Sequence, residues 1–525
     1  MDITPSNFLT RFPQILNAYN KCSIVAVDGE FSGTKFDQDL AVETYRGILP
    51  EEQFKLLEDS WDKPGMEAPY QKLRWVVRRF ALLQLGITFA WPAKDEKGYP
   101  ILKTESYSFL VSPLVDGQIN KVKLWKTIQR VVSMNTNSAK FLDHSGFDFE
   151  GLFKNGLPYL THPEEAELRR ALDRSDRGQR NRNVENDVNK LRGKEARERD
   201  RIRTVIESRM GARRNSRGLS ISIDPPKDTD MDIADWKTLV HHVVDQDFPR
   251  CRVTNGRSSP VVVVKLVELE RTHNVDDLAR KHNMEADIRK AIGARSLLDM
   301  LIGNDIGTQI QPQDIAKAQL AAERQANGQP ARINTINDPE LKARTEALQE
   351  LFDNHWKRQQ PILIGHNLGW DLAFMIGTLF EPLQDTFAEF LPRVDGLFSR
   401  ILDTRIITDA CMPEAKTANL SQIVAQLKYR SVEPRCQSES GLGYDDGDGK
   451  PHDAAYDSFL TVEAFARLGQ DLVRNKCWDE GAPFPTQEEM NERIMNWRDP
   501  IWDPFRGQFK VMGELVREKA SWGRH

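Results

Sequence analysis

Asp28 and Glu30 stand two residues apart at the end of the apolar run Ile24–Val27, with Gly29 between them. Side chains at i and i+2 of a strand point the same way, so a strand here delivers two carboxylates to one side. Two like charges held that close require a compensating cation, and hard oxygen ligands suit Mg2+ or Mn2+. The plain alternative for an isolated Asp-x-Glu is a turn with two solvated acids. Three more residues of the right types follow in order: Asp371 early in a helical stretch, then His452 and Asp457 around a helix start. Carboxylates from separate segments can hold two divalent ions ~3.5–4 Å apart, which stabilise the attacking and leaving oxygens of a phosphodiester. A histidine close to that pair can act as general base on the attacking water, because imidazole titrates near neutrality. Residue type alone proves nothing for these five, since each type also serves as a surface or capping group. Their order and the local structure of each carry the weight.

The elements that must position them can be read along the chain. Phe8, Phe12, Ile15 and Leu16 fall on one face of a helix over 5–20, which leads into the Asp28 strand. Residues 34–66 read as loop with a short helix, Phe80–Trp91 and Tyr107–Val111 as strands, and 120–134 and 138–153 as helices. Far downstream, 361–367 is a short apolar strand ending in Gly365-His366-Asn367, and a helix over 368–380 holds Asp371. Residues 399–411 read as a strand-like run with Asp403, and 420–427 as a short helix. A Gly/Asp-rich loop over 439–450 leads to a helix that runs to Leu472. Strands that end in acids fit an α/β sheet with its active site at the strand ends.

At 525 residues the chain is long enough for two or three domains. The net charge of −5 excludes a polycation, so nucleic-acid binding must come from a local basic surface. Such a surface exists between Arg169 and Arg217, where 17 Lys and Arg face 8 Asp and Glu. It is either a solvated charged arm or a track for a phosphate backbone. Residues 219–270 form a strand–helix–strand pattern, which reads as an inserted small domain; 274–355 is mostly helical, with a loop or mobile connection expected over 308–336. The expected boundaries are 1–165 and 356–475 for the two parts of the main domain, 166–218 for the basic arm, 219–272 for the insert, 273–355 for the connection, and 476–525 for an extension packing on the main domain. Five widely spaced cysteines (Cys22, Cys251, Cys411, Cys436 and Cys477) argue for reduced thiols rather than a zinc or disulfide framework. With no secretory leader pattern and no apolar run near ~20 residues, the expectation is a soluble protein of the cytoplasm, the nucleus or both, without a membrane partner.

Asp-x-Glu, a distal Asp after Gly-His-Asn, and His-x4-Asp in that order match the histidine subtype of the DEDD exonucleases. The detail narrows the resemblance. Asp28-Gly-Glu30-Phe-Ser-Gly33, Gly365-His366-Asn367-x3-Asp371, Leu402-Asp403-Thr404 and His452-x-Ala-x-Tyr456-Asp457 look like the poly(A)-specific ribonuclease (PARN) family. So do Tyr70-Gln-Lys-Leu73, Gly146-Phe-Asp-Phe149 and Asn155-Gly-x-Pro-Tyr159. The likeness covers roughly 1–165 and 355–470. It implies a ribonuclease-H-like mixed sheet flanked by helices, with an inserted small α/β domain of the Arg-x3-His type. It also implies 3′→5′ hydrolysis of single-stranded RNA 3′ ends with two Mg2+ ions (Mn2+ substituting) and release of 5′-monophosphates. In matching positions Asp28, Glu30, Asp371 and Asp457 would hold the metals, and His452 would position or deprotonate the water.

The same resemblance assigns substrate contacts to Phe31, Asn367, Arg405 and Leu420. Phe31 would lie against the terminal base, where an aromatic face contributes ~1–3 kcal/mol. Leu420 matches an apolar base contact, and Arg405 stands where the family has Lys. Thr34 replaces an aliphatic residue near the base. In the insert, Lys237-x3-His241 only approximates the Arg-x3-His signature. The family implies a homodimer, and a protein cofactor is a further candidate partner. Two RNA substrate classes compete, poly(A) tails and the 3′ ends of small-RNA precursors. The alternative from another class is a catalytically inactive RNA-binding adaptor with a nuclease fold, against which all five catalytic positions stand intact.

Overall fold

The apolar run ahead of Asp28 forms the strand Ile24–Phe31. Val25 and Val27 enter one apolar cluster, and Ile24 and Ala26 enter another. A strand buried on both faces needs this near-continuous apolar run. The computed structural model describes residues 1–46, 51–115, 118–119, 122–123, 128, 130–170, 193–211, 220–225, 232–248, 251–255, 262–266, 283–330, 338–431, 433–439, 444 and 452–516. Two compact units result, Met1–Glu165 with Asp287–His525, and Ala166–Ala286.

Among the described residues, the main sheet of the first unit has seven strands: β1 (Asp2–Ile3), β2 (Ile24–Phe31), β3 (Leu82–Lys94), β4 (Pro100–Leu110), β5 (Ile362–Gly365), β6 (Ile401–Asp403) and β7 (Cys436–Ser438). Their order is β1-β4-β3-β2-β5-β6, with β7 also pairing with β4. β3 is antiparallel to both neighbours and the other pairings are parallel. The five central strands thus follow the order 3-2-1-4-5 with the second reversed. This is the ribonuclease-H-like mixed sheet that the resemblance implies. Helices Phe8–Lys21, Glu67–Arg79 and Pro339–Trp356 cover one face. Leu420–Arg430 and Ala454–Glu480 cover the other, joined by Met490, Ile494 and Trp502 from the C-terminal region.

Four expectations are corrected. Over 34–66 the described residues include two helices, Gln38–Tyr45 and Glu51–Ser60, instead of loop with a short helix. Of residues 120–134, those described are the strand Val122–Lys123, residue 128 and irregular chain from 130, none of them helical; 120–121, 124–127 and 129 lie outside the described set. The expected strand over 399–411 stops at Asp403, whose carboxylate accepts the Arg405 N–H at 2.9 Å and caps the helix Thr404–Cys411. The expected loop over 308–336 contains the helix Pro312–Ala326, beginning with Pro at its first turn. Its narrow apolar stripe of Ile315, Ala316 and Leu320 is enough because it packs between Phe8–Lys21 and Pro339–Trp356. Residues 331–337 lie outside the described set.

In the second unit, Ser220–Ile223, Val262–Leu266 and Cys251–Asn255 form an antiparallel sheet with Val262–Leu266 in the centre. Trp236, Val240 and Val244 of the helix Ile233–Asp247 pack there with Ile202 and Ile206 of the helix Gly193–Gly211. The Trp236 Nε1–H donates to Glu198 at 2.8 Å. This described part of the basic segment is therefore an amphipathic helix on the small sheet, and Arg201 and Arg203 pair with Glu198 and Asp247. Residues 171–192 and 212–218 of the expected arm lie outside the described set. Lys237 and His241 stand one turn apart on the helix Ile233–Asp247.

Candidate active site

The parity of β2 fixes where the acids point. Asp28 and Glu30 continue the series of Ile24 and Ala26, so they face the layer that holds the helix Ala454–Glu480. Pairing places Asp28 opposite Gly86 and Glu30 opposite Gln84, and a β-bulge follows between Glu30 and Phe31. Bulges commonly re-aim a side chain at a sheet end. Here Phe31 stacks on Phe374, with ring centroids 4.2 Å apart and planes 20° apart.

Asp457 and His452 are brought to β2 by the first turn of the long helix. A Cβ at Gly86 would fall 1.9 Å from the Ala454 carbonyl oxygen, so the helix start rests directly on the β3 backbone. Buried hydroxyls fasten the same turn: Thr88 bonds to Ser106 at 2.8 Å and to Ser458 at 2.7 Å. Asp453 caps the helix by accepting the Ala455 N–H at 3.0 Å. His452 has φ +68°, a left-handed conformation uncommon for histidine. Its N–H donates to Asp457 Oδ2 at 3.0 Å, and its ring meets the Phe141 edge with centroids 4.4 Å apart.

Asp371 arrives through the turn after β5. Asn367 takes φ +61° there, and the turn is held by Asp403 at the end of β6. The buried Asp403 carboxylate accepts N–H groups from Asn367 at 3.0 Å, Leu368 at 3.1 Å, Arg405 at 2.9 Å and Lys510 at 3.4 Å. Burial nevertheless pushes it up to about 6. His366 also belongs to this scaffold. Its Nδ1 lies 3.0 Å from the Thr404 hydroxyl, and burial followed by the Arg405 charge pushes it down to about 3. It stays neutral and structural.

The five expected residues converge. Glu30, His452 and Asp457 each offer a ligand atom, all within 4.8 Å of one another. Burial first, then the charges of Asp371, Asp457, Glu30 and Asp453, hold Asp28 well above the usual carboxylate range. Burial, then Asp457, Asp371 and Asp453, push Glu30 up to about 8. Burial raises Asp457 to about 7 against the opposing His452 amide. Asp371 is likewise raised, chiefly by burial. The charges that act most strongly on Asp28 and Glu30 are all negative. Such a crowd of oxygen donors fits a hard divalent cation, which would remove the repulsion. By its donor chemistry the acidic cluster could hold such a cation. Burial lowers His452, so near neutrality the ring is unprotonated and able to accept a proton.

The expected substrate contacts are placed less uniformly. Phe31 lies beside the acids and Asn367 is exposed at the turn before Asp371. Arg405 is committed within the chain: Nη1 donates to the Ala418 carbonyl at 2.9 Å, Nη2 to Lys416, and Nε pairs with Asp409 at 3.2 Å. Leu420 opens the helix Leu420–Arg430 and packs against the apolar cluster beneath the long helix. Sequence reasoning gave no role to three residues. Gly86 could have been noticed as a lone glycine inside a strand pattern; Asp403 is named in the 399–411 run and in the family motif but given no function. Asp453 carried no signal apart from its neighbours.

A family model described as CAF1 family ribonuclease matches residues 3–465. Poly(A)-specific ribonuclease PARN of Homo sapiens is 22% identical over 492 residues, covering 90% of this chain and 62% of that protein. The pre-piRNA 3′-exonuclease trimmer of Bombyx mori is 22% identical over 481 residues, covering 89% of this chain and 71% of that protein. Poly(A)-specific ribonuclease PNLDC1 of Mus musculus is 20% identical over 485 residues, covering 90% and 72%. The chain therefore spans about 62% of the length of its PARN relatives. Among solved structures, the Mg2+- and Mn2+-bound form of Pop2p from S. pombe aligns with a TM-score of 0.33 and 11% identity, over 88% of this chain and 89% of that one. On the family match across most of its length, this chain belongs to the CAF1 ribonuclease family.

Proposed function

We propose that the protein is a 3′→5′ exoribonuclease that shortens single-stranded RNA from its 3′ end and releases 5′-mononucleotides. The observation that carries this reading is the convergence of Asp28, Glu30, Asp371, Asp457 and His452 at the ends of β2 and β5. The four acids would hold two Mg2+ ions, with Mn2+ able to replace them. When bound, the ions would neutralise charge developing on the scissile phosphate and make a water more acidic. His452 accepts the proton of the attacking water at a ring nitrogen, helped by a lowered proton affinity that keeps it neutral near pH 7. Phe31, supported from behind by Phe374, gives the terminal base an aromatic face that tolerates any base. Asn367 stands at the turn where the RNA would pass. Leu420, only partly buried at the start of the helix Leu420–Arg430, and Arg405, which bonds to the 416–418 segment, complete the proposed substrate contacts.

The relatives' names suggest two substrate classes, poly(A) tails and small-RNA precursors. Further partners proposed are a second copy of this chain and a protein cofactor. Among the described residues no helix is long and apolar enough to cross a membrane, and the cytoplasm, nucleus or both are proposed as the site of action. Two 5′-labelled RNAs of equal length, an oligo(A) and a mixed sequence, test the reading. Shortening of the oligo(A) alone assigns a deadenylase, and equal shortening of both assigns a general 3′ trimmer. Binding without shortening of either RNA overturns the enzyme reading in favour of an adaptor.

A further inference from the structure

A second cavity lies at the opposite end of β3 and β4 from the acids. It has a volume of about 470 Å3 and is bounded by the turn between the two strands, by β7, and by the middle of the helix Ala454–Glu480. Arg467 lines it. This side chain is only 6% exposed; its guanidinium bonds to the Cys436 sulfur, while among the described residues its buried Nε has no hydrogen-bond partner. Its Nη1 reaches Glu463 of its own helix at 3.4 Å, a long contact for an ion pair. Glu463, itself 2% exposed, also receives Lys428 at 2.9 Å. One carboxylate thus faces two cations, and the more buried cation fronts the cavity. The Cys436 thiol beside it is neutral, because burial pushes it up to about 12.

The other charges at the cavity balance among themselves. Asp95 accepts the N–H groups of Lys97 and Tyr99 and faces Arg435 at 3.4 Å. Glu96 and Lys97 are both exposed and of opposite sign. A buried guanidinium with an unused donor is costly unless an anion completes its shell. The ring of Tyr99, 57% exposed, forms part of the wall, and the Arg435 guanidinium lies 5.5 Å from its centroid. A flat aromatic surface beside an unsatisfied buried arginine suits a planar base carrying a phosphate.

We propose that this cavity binds a nucleoside 5′-monophosphate, with the phosphate on Arg467 and the base against Tyr99. The volume lies in the range of small-ligand sites. Binding here does not require the acidic cluster to be catalytic. The cavity nevertheless shares two elements with that cluster. Arg467 stands ten residues beyond Asp457 on one helix, about 15 Å along its axis, and β3 carries Gly86 and Gln84 at its other end.

Calorimetric titration of the full chain in EDTA, where divalent ions cannot draw phosphate to the acidic cluster, tests the assignment. The probes are AMP, inorganic phosphate and adenosine. AMP is expected to bind wild type and Asp28→Ala equally, and at least tenfold more tightly than either fragment. Arg467→Met should weaken AMP at least tenfold. Tyr99→Ala, a change at an exposed ring that leaves folding intact, should reduce AMP to the level of inorganic phosphate. If Arg467→Met does not fold, Tyr99→Ala decides alone. Undetectable AMP binding, or unchanged AMP affinity in Tyr99→Ala, overturns the assignment. So does tighter binding of a 5′-phosphorylated dinucleotide, which would make the cavity a site for an RNA end.

Discussion

Asp28 feels four neighbouring negative charges, so Asp28→Ala should relieve repulsion in the metal-free protein while removing a ligand. The expected outcome is a loss of turnover of about 10³-fold or more, with a thermal midpoint equal to or above wild type, read in paired activity and melting assays. His452→Ala should slow kcat by about 10²–10⁴-fold while changing RNA affinity little; a variant that loses affinity but keeps kcat contradicts the base role. The left-handed φ of His452 costs of order 1 kcal/mol, and the Asp457 carboxylate that accepts its N–H maintains it. These five residues were legible in the sequence because each sits in a local pattern that a strand end or helix start explains. Arg405 was not. Its guanidinium is taken by carbonyls of the 416–418 segment and by Asp409, and no local pattern reveals which partner a long side chain will find.

The start of the long helix is placed by contact with a strand, and that contact is testable. Gly86→Ala puts a methyl carbon where the Ala454 carbonyl oxygen now lies. The helix start must move, so stability should fall by about 1–3 kcal/mol, and catalysis should fall further than that loss explains because Asp457 and His452 move together. Measuring turnover below the melting transition of each protein separates the two effects. Asp403→Ala leaves four backbone N–H groups without their acceptor. It should cost about 2–4 kcal/mol in chemical denaturation. The strand pattern of the sheet was readable from its apolar runs, whereas the helix Pro312–Ala326 was not. Its buried stripe holds only three residues, and it becomes helical through neighbours distant in sequence.

For the molecule as a whole, the acidic cluster should couple stability to pH and, if it holds the proposed cations, to divalent ions. Glu30 and Asp457, raised to about 8 and about 7, bind more protons in the folded than in the unfolded chain over roughly pH 4–8. Stability of the metal-free protein should therefore be highest at the acid side of that window and fall as pH rises through it. On the proposed reading Mg2+ would replace those protons, so its addition should raise the thermal midpoint more at pH 8 than at pH 6. A change in composition near residue 165 set the expected end of the first part of the main domain, and the division between the two compact units falls between residues 165 and 166. The return of 287–355 to the main core was not visible in the sequence, because the two longer helices there, Pro312–Ala326 and Pro339–Trp356, bury few apolar residues apiece. The central claim, a cation-dependent 3′→5′ exoribonuclease built on Asp28, is tested most directly with one 5′-labelled RNA, wild type and Asp28→Ala, each with Mg2+ and with EDTA. The account expects stepwise shortening from the 3′ end only by wild type with Mg2+. Shortening by Asp28→Ala, or by wild type in EDTA, would contradict it.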